Sequence, residues 1–281
     1  MTTSTFETAS QRHDRMVREE REQTEAVASR LPQGDFWQSY AGRFRPREGG
    51  PADTSDLDAL LALVRPEDRV IDVGAGGGRL ALPIAARCRE VVAVEPSPAM
   101  QRVLSDEIAR RGAANVRVVP LTWEEAEVEP GELVFTAHVT YGVHDIARFL
   151  KKMDAAAARD AVAIVFEHPP QFVFAPFWRA VYGEERLALP CAEELIGALR
   201  ELGAEPEVSE LPPLLPQPLG PRDAAIDELR RRLFAAPGSE ADRRLQKALP
   251  QLVEERGGEL VPRYAAPRRR AFLRWQPGRM A

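Results

Sequence analysis

Apolar residues change their period along this chain, and the changes come in a regular order. Leu57, Leu60, Leu61 and Val64 recur at three- and four-residue steps and so share one helical face. Val70, Ile71 and Val73 follow as a short apolar run between Pro66 and Gly74, too brief for a helix and suited to a buried strand. The exchange then repeats. Strands are expected over 69–73, 91–94, 116–119, 133–137, 161–166 and 207–211, and helices over 79–87, 98–111, 145–153 and 192–202. Ser55 with Asp58 reads as a capping box, Asp145 as an N-cap, and Gly112 and Gly203 as helix stops, while Pro83 must fall in a first turn. Ala271, Leu273 and Trp275 alternate with Arg270, Phe272 and Arg274, which marks a last strand over 269–275. Short strands alternating with helices build βαβ units, so the fold class is α/β, a doubly wound and mainly parallel sheet.

Additions flank this core on both sides. Residues 7–30 are charged and helical in pattern, and Phe36, Tyr40 and Phe44 then fall four apart on one face. Residues 45–54 form a loop rich in Pro and Gly. The division expected is an N-terminal helical cap over 1–54 and a main domain over 55–281. That domain carries a helical insertion over about 222–256, where Ile226, Leu229 and Leu233, then Leu245, Leu249 and Leu252, mark two amphipathic helices. Pro250 should kink or break the second. Five prolines between 212 and 221 make the segment before the insertion a connector.

The chemistry begins where the first strand ends. Val70-Ile71-Asp72-Val73-Gly74-Ala75-Gly76-Gly77-Gly78 runs a strand into a glycine-rich turn, and the lone carboxylate Glu95 closes the next strand. Glycines there let backbone approach a ligand, and an acid about twenty residues on suits ribose hydroxyls. A dinucleotide fingerprint is G-x-G-x-x-G with no acid inside it. Here Asp72 precedes the first glycine by two, and an acid in the turn suits a cofactor that presents a positive charge.

With these residues the chain resembles the class I S-adenosylmethionine-dependent methyltransferases. Val70 to Ala86 is similar to their first motif, and Val91 to Met100 to their second strand and the turn after it. The resemblance implies a seven-stranded Rossmann-like sheet in the order 3-2-1-4-5-7-6. It implies S-adenosylmethionine as cofactor, S-adenosylhomocysteine as product, and methyl transfer as the activity. Asp72, Gly74, Ala75, Gly76 and Glu95 would then hold the cofactor, with Pro96 and Met100 packed on its adenine. Thr122 and Trp123 follow the third strand, where the family borders the adenine ring; the acid usual there is replaced by Thr122 or shifted to Glu124.

Candidates on the acceptor side lie where later strands end, because ligands bind at the carboxyl edge of open α/β sheets. His138 leaves the fourth strand with Tyr141 close behind, and is the candidate general base or cofactor contact, against a structural histidine. Glu167 and His168 leave the fifth strand. Trp37 and Tyr40 supply aromatic wall from the N-terminal side. Pro169-Pro170 lacks the Asn and the position of the Asn-Pro-Pro-Tyr motif of nucleic-acid amino methyltransferases.

Composition narrows the partners. A net charge of −5 argues against a polyanionic partner such as nucleic acid. Arg268, Arg269, Arg270 and Arg274 read as flanks of an edge strand in preference to a phosphate-binding patch. Cys88 and Cys191 are isolated, which suits a reducing cytoplasm, and no clustered metal ligands stand out. The charged N-terminus is unlike a signal peptide, and no apolar stretch is long enough to span a membrane. The reading is methyl transfer to a small molecule. Its rivals are an RNA or protein methyltransferase, a nicotinamide-dependent oxidoreductase, and a non-catalytic S-adenosylmethionine-binding subunit that uses residues 7–30 as an interface, or as a homodimer contact.

Overall fold

A computed structural model describes residues 6–28 and 54–280. Trp37, Tyr40 and the aromatic repeat around them lie outside the described residues. Helix α1 (Ala9–Ala28) comes first, and α2 (Ser55–Leu61) leads into the alternating core. Strands β1 (Arg69–Val73), β2 (Glu90–Val94) and β3 (Val116–Val119) are separated by α3 (Ala81–Ala85) and α4 (Pro98–Arg111). Then follow β4 (Gly131–Ala137), α5 (Ile146–Ala156), β5 (Ala157–Phe166), α6 (Ala175–Tyr182), α7 (Ala192–Glu201) and β6 (Glu207–Leu214). The insertion holds β7 (Gly220–Pro221), α8 (Arg222–Arg232), α9 (Glu240–Leu252), β8 (Val253–Arg256) and β9 (Glu259–Pro262), and β10 (Arg268–Trp275) returns to the main sheet.

The seven-stranded sheet runs β3-β2-β1-β4-β5-β10-β6, the expected order with β10 as its seventh strand. β1 to β5 pair in parallel, and β10 is antiparallel to both β5 and β6. Both faces are covered, so the central strands read as unbroken apolar runs. Phe149, Leu150 and Met153 of α5 and Leu195 and Leu199 of α7 pack on one face. Leu60, Ala81 and Ile84 pack on the other, and Leu104 of α4 joins Ala93 there. Local sequence fixes the helix ends. Ser97 accepts from the Met100 amide and Gly112 closes α4 at φ +63°, as the cap residues require. Asp145 accepts from the Arg148 amide to start α5.

Several expectations are corrected. Thr54, not Ser55, occupies the N-cap of α2; its hydroxyl donates to Asp58, while Ser55 receives Arg270. β6 continues through Pro212 and Pro213, because a strand on the free edge of a sheet tolerates residues without N–H. The arginine-rich strand is not at the edge: β10 lies between β5 and β6. α9 runs two residues past Pro250, with Leu249 and then Val253 anchored in a common core. The insertion is also more than helical. β8 and β9 make a hairpin across Gly257-Gly258, and β7 adds to its edge. Phe177 and Trp178 of α6 bury against Leu229, Leu245 and Leu249, so the insertion docks on the segment that follows β5.

α1 packs along α7 and beside the segment that follows β4, where Asp14 accepts from the Ile146 amide and Arg21 meets His144. Ser10 sits by Glu201 at one end of α7, Gly197 lets Ala9 come close, and residues 20–24 bond the 184–187 loop. Its buried residues, Ser10, His13 and Val17, are used within the chain. Its last turn meets the core shared by the insertion and α6 through Val27.

Candidate cofactor and acceptor site

The glycine turn after β1 is held from both sides. Gly74 and Ala75 donate their amides to Val94 of the neighbouring strand (2.8 and 3.1 Å). Gly74 sits at φ +81°, and a Cβ there would lie 2.4 Å from Val139 Cγ2, so only glycine fits the turn against β4's exit. Gly76 sits at φ +55° with open space where a Cβ would project. Glu95 is buried, and its carboxylate reaches back over the turn: Oε2 accepts from the Gly76 amide (2.7 Å) and Oε1 from the Ser97 amide (2.8 Å).

Asp72 is buried directly beneath this turn, and its Oδ2 has no hydrogen-bond partner among the described residues. Burial, reinforced by the nearby Glu95 charge and opposed by Arg79, raises its pKa to about 8. A carboxylate in that position is a costly thing to build without a cationic partner.

The β4 exit carries a second cluster. His138 adopts φ +62°, a backbone region that costs a non-glycine residue and concentrates at functional turns. Its amide donates to Ile164 on β5 (2.8 Å), and its ring stacks on Phe166 with centroids 4.4 Å apart. Both ring nitrogens are occupied: Nε2 faces Asp56 Oδ2 at 3.3 Å and Nδ1 faces the Tyr141 hydroxyl at 3.2 Å. Burial alone would raise the Asp56 pKa, but His138, Arg79 and Arg270 together hold it well below the ordinary range. An ionised carboxylate only accepts, so Nε2 carries the ring proton. The Tyr141 oxygen accepts from the Phe166 amide (2.8 Å), which leaves its own proton for Nδ1. Burial lowers the His138 pKa, more than the Asp56 hydrogen bond restores it, so the ring is neutral.

The fold and the turn can be set beside known proteins. A family model described as a methyltransferase domain matches residues 70–160. That stretch holds the glycine turn, Glu95 and His138. The uncharacterized methyltransferase YcgJ of Bacillus subtilis is 24% identical over 121 residues, 42% of this chain and 48% of that protein. Its crystal structure superposes with a TM-score of 0.56 at 14% identity, covering 79% of this chain and 97% of that one. Magnesium protoporphyrin IX methyltransferase (ChlM) of Synechocystis PCC 6803, solved with bound S-adenosylhomocysteine, gives a TM-score of 0.53 at 11% identity, covering 87% and 97%. A shorter stretch of 53 residues is 45% identical to the 23S rRNA (uracil(1939)-C(5))-methyltransferase RlmD of Klebsiella pneumoniae, 19% of this chain and 12% of that one. The matched segments thus span under half the length of these curated relatives.

The other candidates are placed as follows. Pro96 is exposed at the turn after β2, and Met100 is buried below it with Ala99 and Val103. Thr122 is half-buried and bonds Glu125, whereas Trp123 is turned into the core, its indole donating to the Phe149 carbonyl (3.2 Å). Glu167 and His168 line a groove bordered by Arg12, Ile196 and Ala271. Tyr141 is buried behind His138. Two residues of the cluster, Asp56 and Arg79, had no sequence signal as site residues, and Arg270 had only its place in the arginine run. Asp56 bonds both arginines, one of them (Arg270) only 1% exposed and so a buried charge in need of that partner. Within that run, the alternation of β10 placed Arg270 opposite Ala271. Among the described residues no group of three or more His, Cys, Asp or Glu is placed to hold a metal ion, and no helix is long and apolar enough to cross a membrane.

Proposed function

We propose that this chain transfers the methyl group of S-adenosylmethionine to a small-molecule acceptor and releases S-adenosylhomocysteine. Asp72 carries the reading. Its unpartnered buried oxygen beneath an open glycine turn suits the amino group of a cofactor's amino-acid portion. Glu95 suits the ribose diol, since each carboxylate oxygen accepts more than one hydrogen bond. Gly74, Ala75 and Gly76 supply the close backbone, and Pro96, Met100 and Thr122 the surroundings of the base. The sulfonium brings an already activated methyl group.

The protein's part is then alignment and exclusion of water. His138 serves as wall and positioning residue: with Nε2–H given to Asp56 and Nδ1 taken by Tyr141, it fixes the β4 exit against the glycine turn. The docked insertion and α6 form the acceptor side. The acidic net charge favours a small acceptor over RNA. The two isolated, half-buried cysteines favour a cytoplasmic enzyme.

Calorimetric titration with S-adenosylmethionine, S-adenosylhomocysteine and NAD tests this directly. Micromolar binding of the first two and none of NAD is expected. Asp72→Asn should weaken the first two by roughly 1–3 kcal/mol, the scale of one charge-assisted hydrogen bond. Binding of NAD alone would overturn the reading.

A further inference from the structure

β10 carries four arginines, and three of them have carboxylate partners. Arg269 faces Glu210, Arg270 bonds Asp56, and Arg274 bonds Asp160. Arg268 forms no ion pair or hydrogen bond among the described residues. Its guanidinium lies over the ring of Phe166, 4.4 Å from the centroid, and burial pulls its pKa down. An arginine stays charged under those conditions, so among the described residues the position holds a partly desolvated cation with no carboxylate paired to it.

Its location makes that charge useful. The Phe166 ring beneath Arg268 also stacks on His138, so the cation stands at the carboxyl edge, beside the β4 exit. The acids nearby do not neutralise it. Asp56 is shared between Arg79 and Arg270. Glu167, next along β5, borders the groove along α7 instead. Asp72 and Glu95 lie across the glycine turn, on the cofactor side. Among the described residues the edge is therefore divided, with acids at β1 and β2 and one unpaired guanidinium, that of Arg268 on β10, over the end of β5. A guanidinium that rests its face on an aromatic ring keeps its N–H edge for a planar anion, and takes carboxylate or phosphate oxygens two at a time.

We propose that Arg268 is the specificity-determining cation of the acceptor site, and that the acceptor carries a carboxylate or a phosphate group. The proposal rests on the methyl-transfer reading for its acceptor, though not for the anion site itself. The test is calorimetry on the full chain, its Arg268→Gln variant and its Arg268→Lys variant, with and without S-adenosylhomocysteine. The probes are benzoate, phenyl phosphate and neutral benzamide. The wild type should prefer one anionic probe over benzamide by at least about tenfold, the loss typical of one charge-assisted contact. Which anion wins distinguishes the two chemistries. Arg268→Gln should lose that preference with S-adenosylhomocysteine affinity held within about twofold, and Arg268→Lys should restore part of it. Equal anion binding by the wild type and Arg268→Gln, or no preference for anions in the wild type, overturns the proposal. An intact anion site in a chain that binds no S-adenosylhomocysteine would instead overturn the methyl-transfer reading and leave the Arg268 site standing.

Discussion

Asp72 makes the clearest prediction at the scale of single residues. Its folded pKa, about 8, lies above the unfolded value of about 3.9. The folded chain therefore binds more protons between those values, and this group's contribution to stability is lost as pH rises from about 4 to about 8. A cationic ligand favours the ionised form. Cofactor binding at pH 7 should thus release a proton, and affinity should rise with pH up to about 8 and then level off. Calorimetry in buffers of different ionisation enthalpy reads the proton directly; a pH-independent affinity with no proton released would show that Asp72 does not face the cation. His138 makes a contrasting case. As a positioning residue it should contribute no limb to the pH–rate profile. His138→Ala should lower kcat while leaving the shape of the profile unchanged, and loss of an acidic limb in the variant would reinstate it as a base.

Among the elements, α1 is held by a titratable group. His13 is buried on its inner face, and burial lowers its pKa to about 4, against a weaker raising effect from the Thr140 carbonyl. Stability from keeping this ring neutral is present above the unfolded value of about 6.5 and is lost as pH falls toward 4, up to about 3 kcal/mol. Hydrogen exchange should show the amides of residues 9–28 losing protection across that interval before the sheet does; uniform protection would mean the ring is not neutral when docked. The helix itself was readable from its charge pattern, but its docking was not. Its charged surface carries only weak apolar periodicity, and the contacts that fix it (Arg12 with Glu194, Asp14 with the Ile146 amide, Arg186 with Glu20) are polar pairs between distant segments. Strands β1 to β5 were legible because burial on both faces leaves an unbroken apolar run. The β8–β9 hairpin was not, since Val253-Glu254-Glu255-Arg256 continues the charged pattern of α9 and only Gly257-Gly258 marks the turn.

The whole molecule is closed by one buried ion cluster that joins α2 to β10. Asp56 is 2% exposed and balances Arg270, which also reaches the Pro212 carbonyl where β6 bulges against β10. Asp56→Asn should strand that charge and cost about 3–5 kcal/mol in thermal or denaturant unfolding. A loss below about 1 kcal/mol would mean that water already reaches the cluster. The same cluster explains which half of the site was legible. Asp72, the glycines and Glu95 are consecutive on β1, β2 and their turns, so spacing along the chain carries them. Asp56, His138, Arg268 and Arg270 meet only through the strand order, and no local spacing encodes that meeting.

That order has a consequence for how the protein comes off the ribosome. β6 touches the main sheet only through β10, the last of the seven strands to be synthesised. Until β10 emerges, the nascent chain holds β5 as an open edge, β6 without a place in the sheet, and Asp56 without Arg270. The cofactor turn can assemble early, whereas the acceptor edge and its arginines arrive in one late step. A chain stalled or cleaved before residue 268 should therefore be a substrate for chaperones and proteases rather than a half-active enzyme.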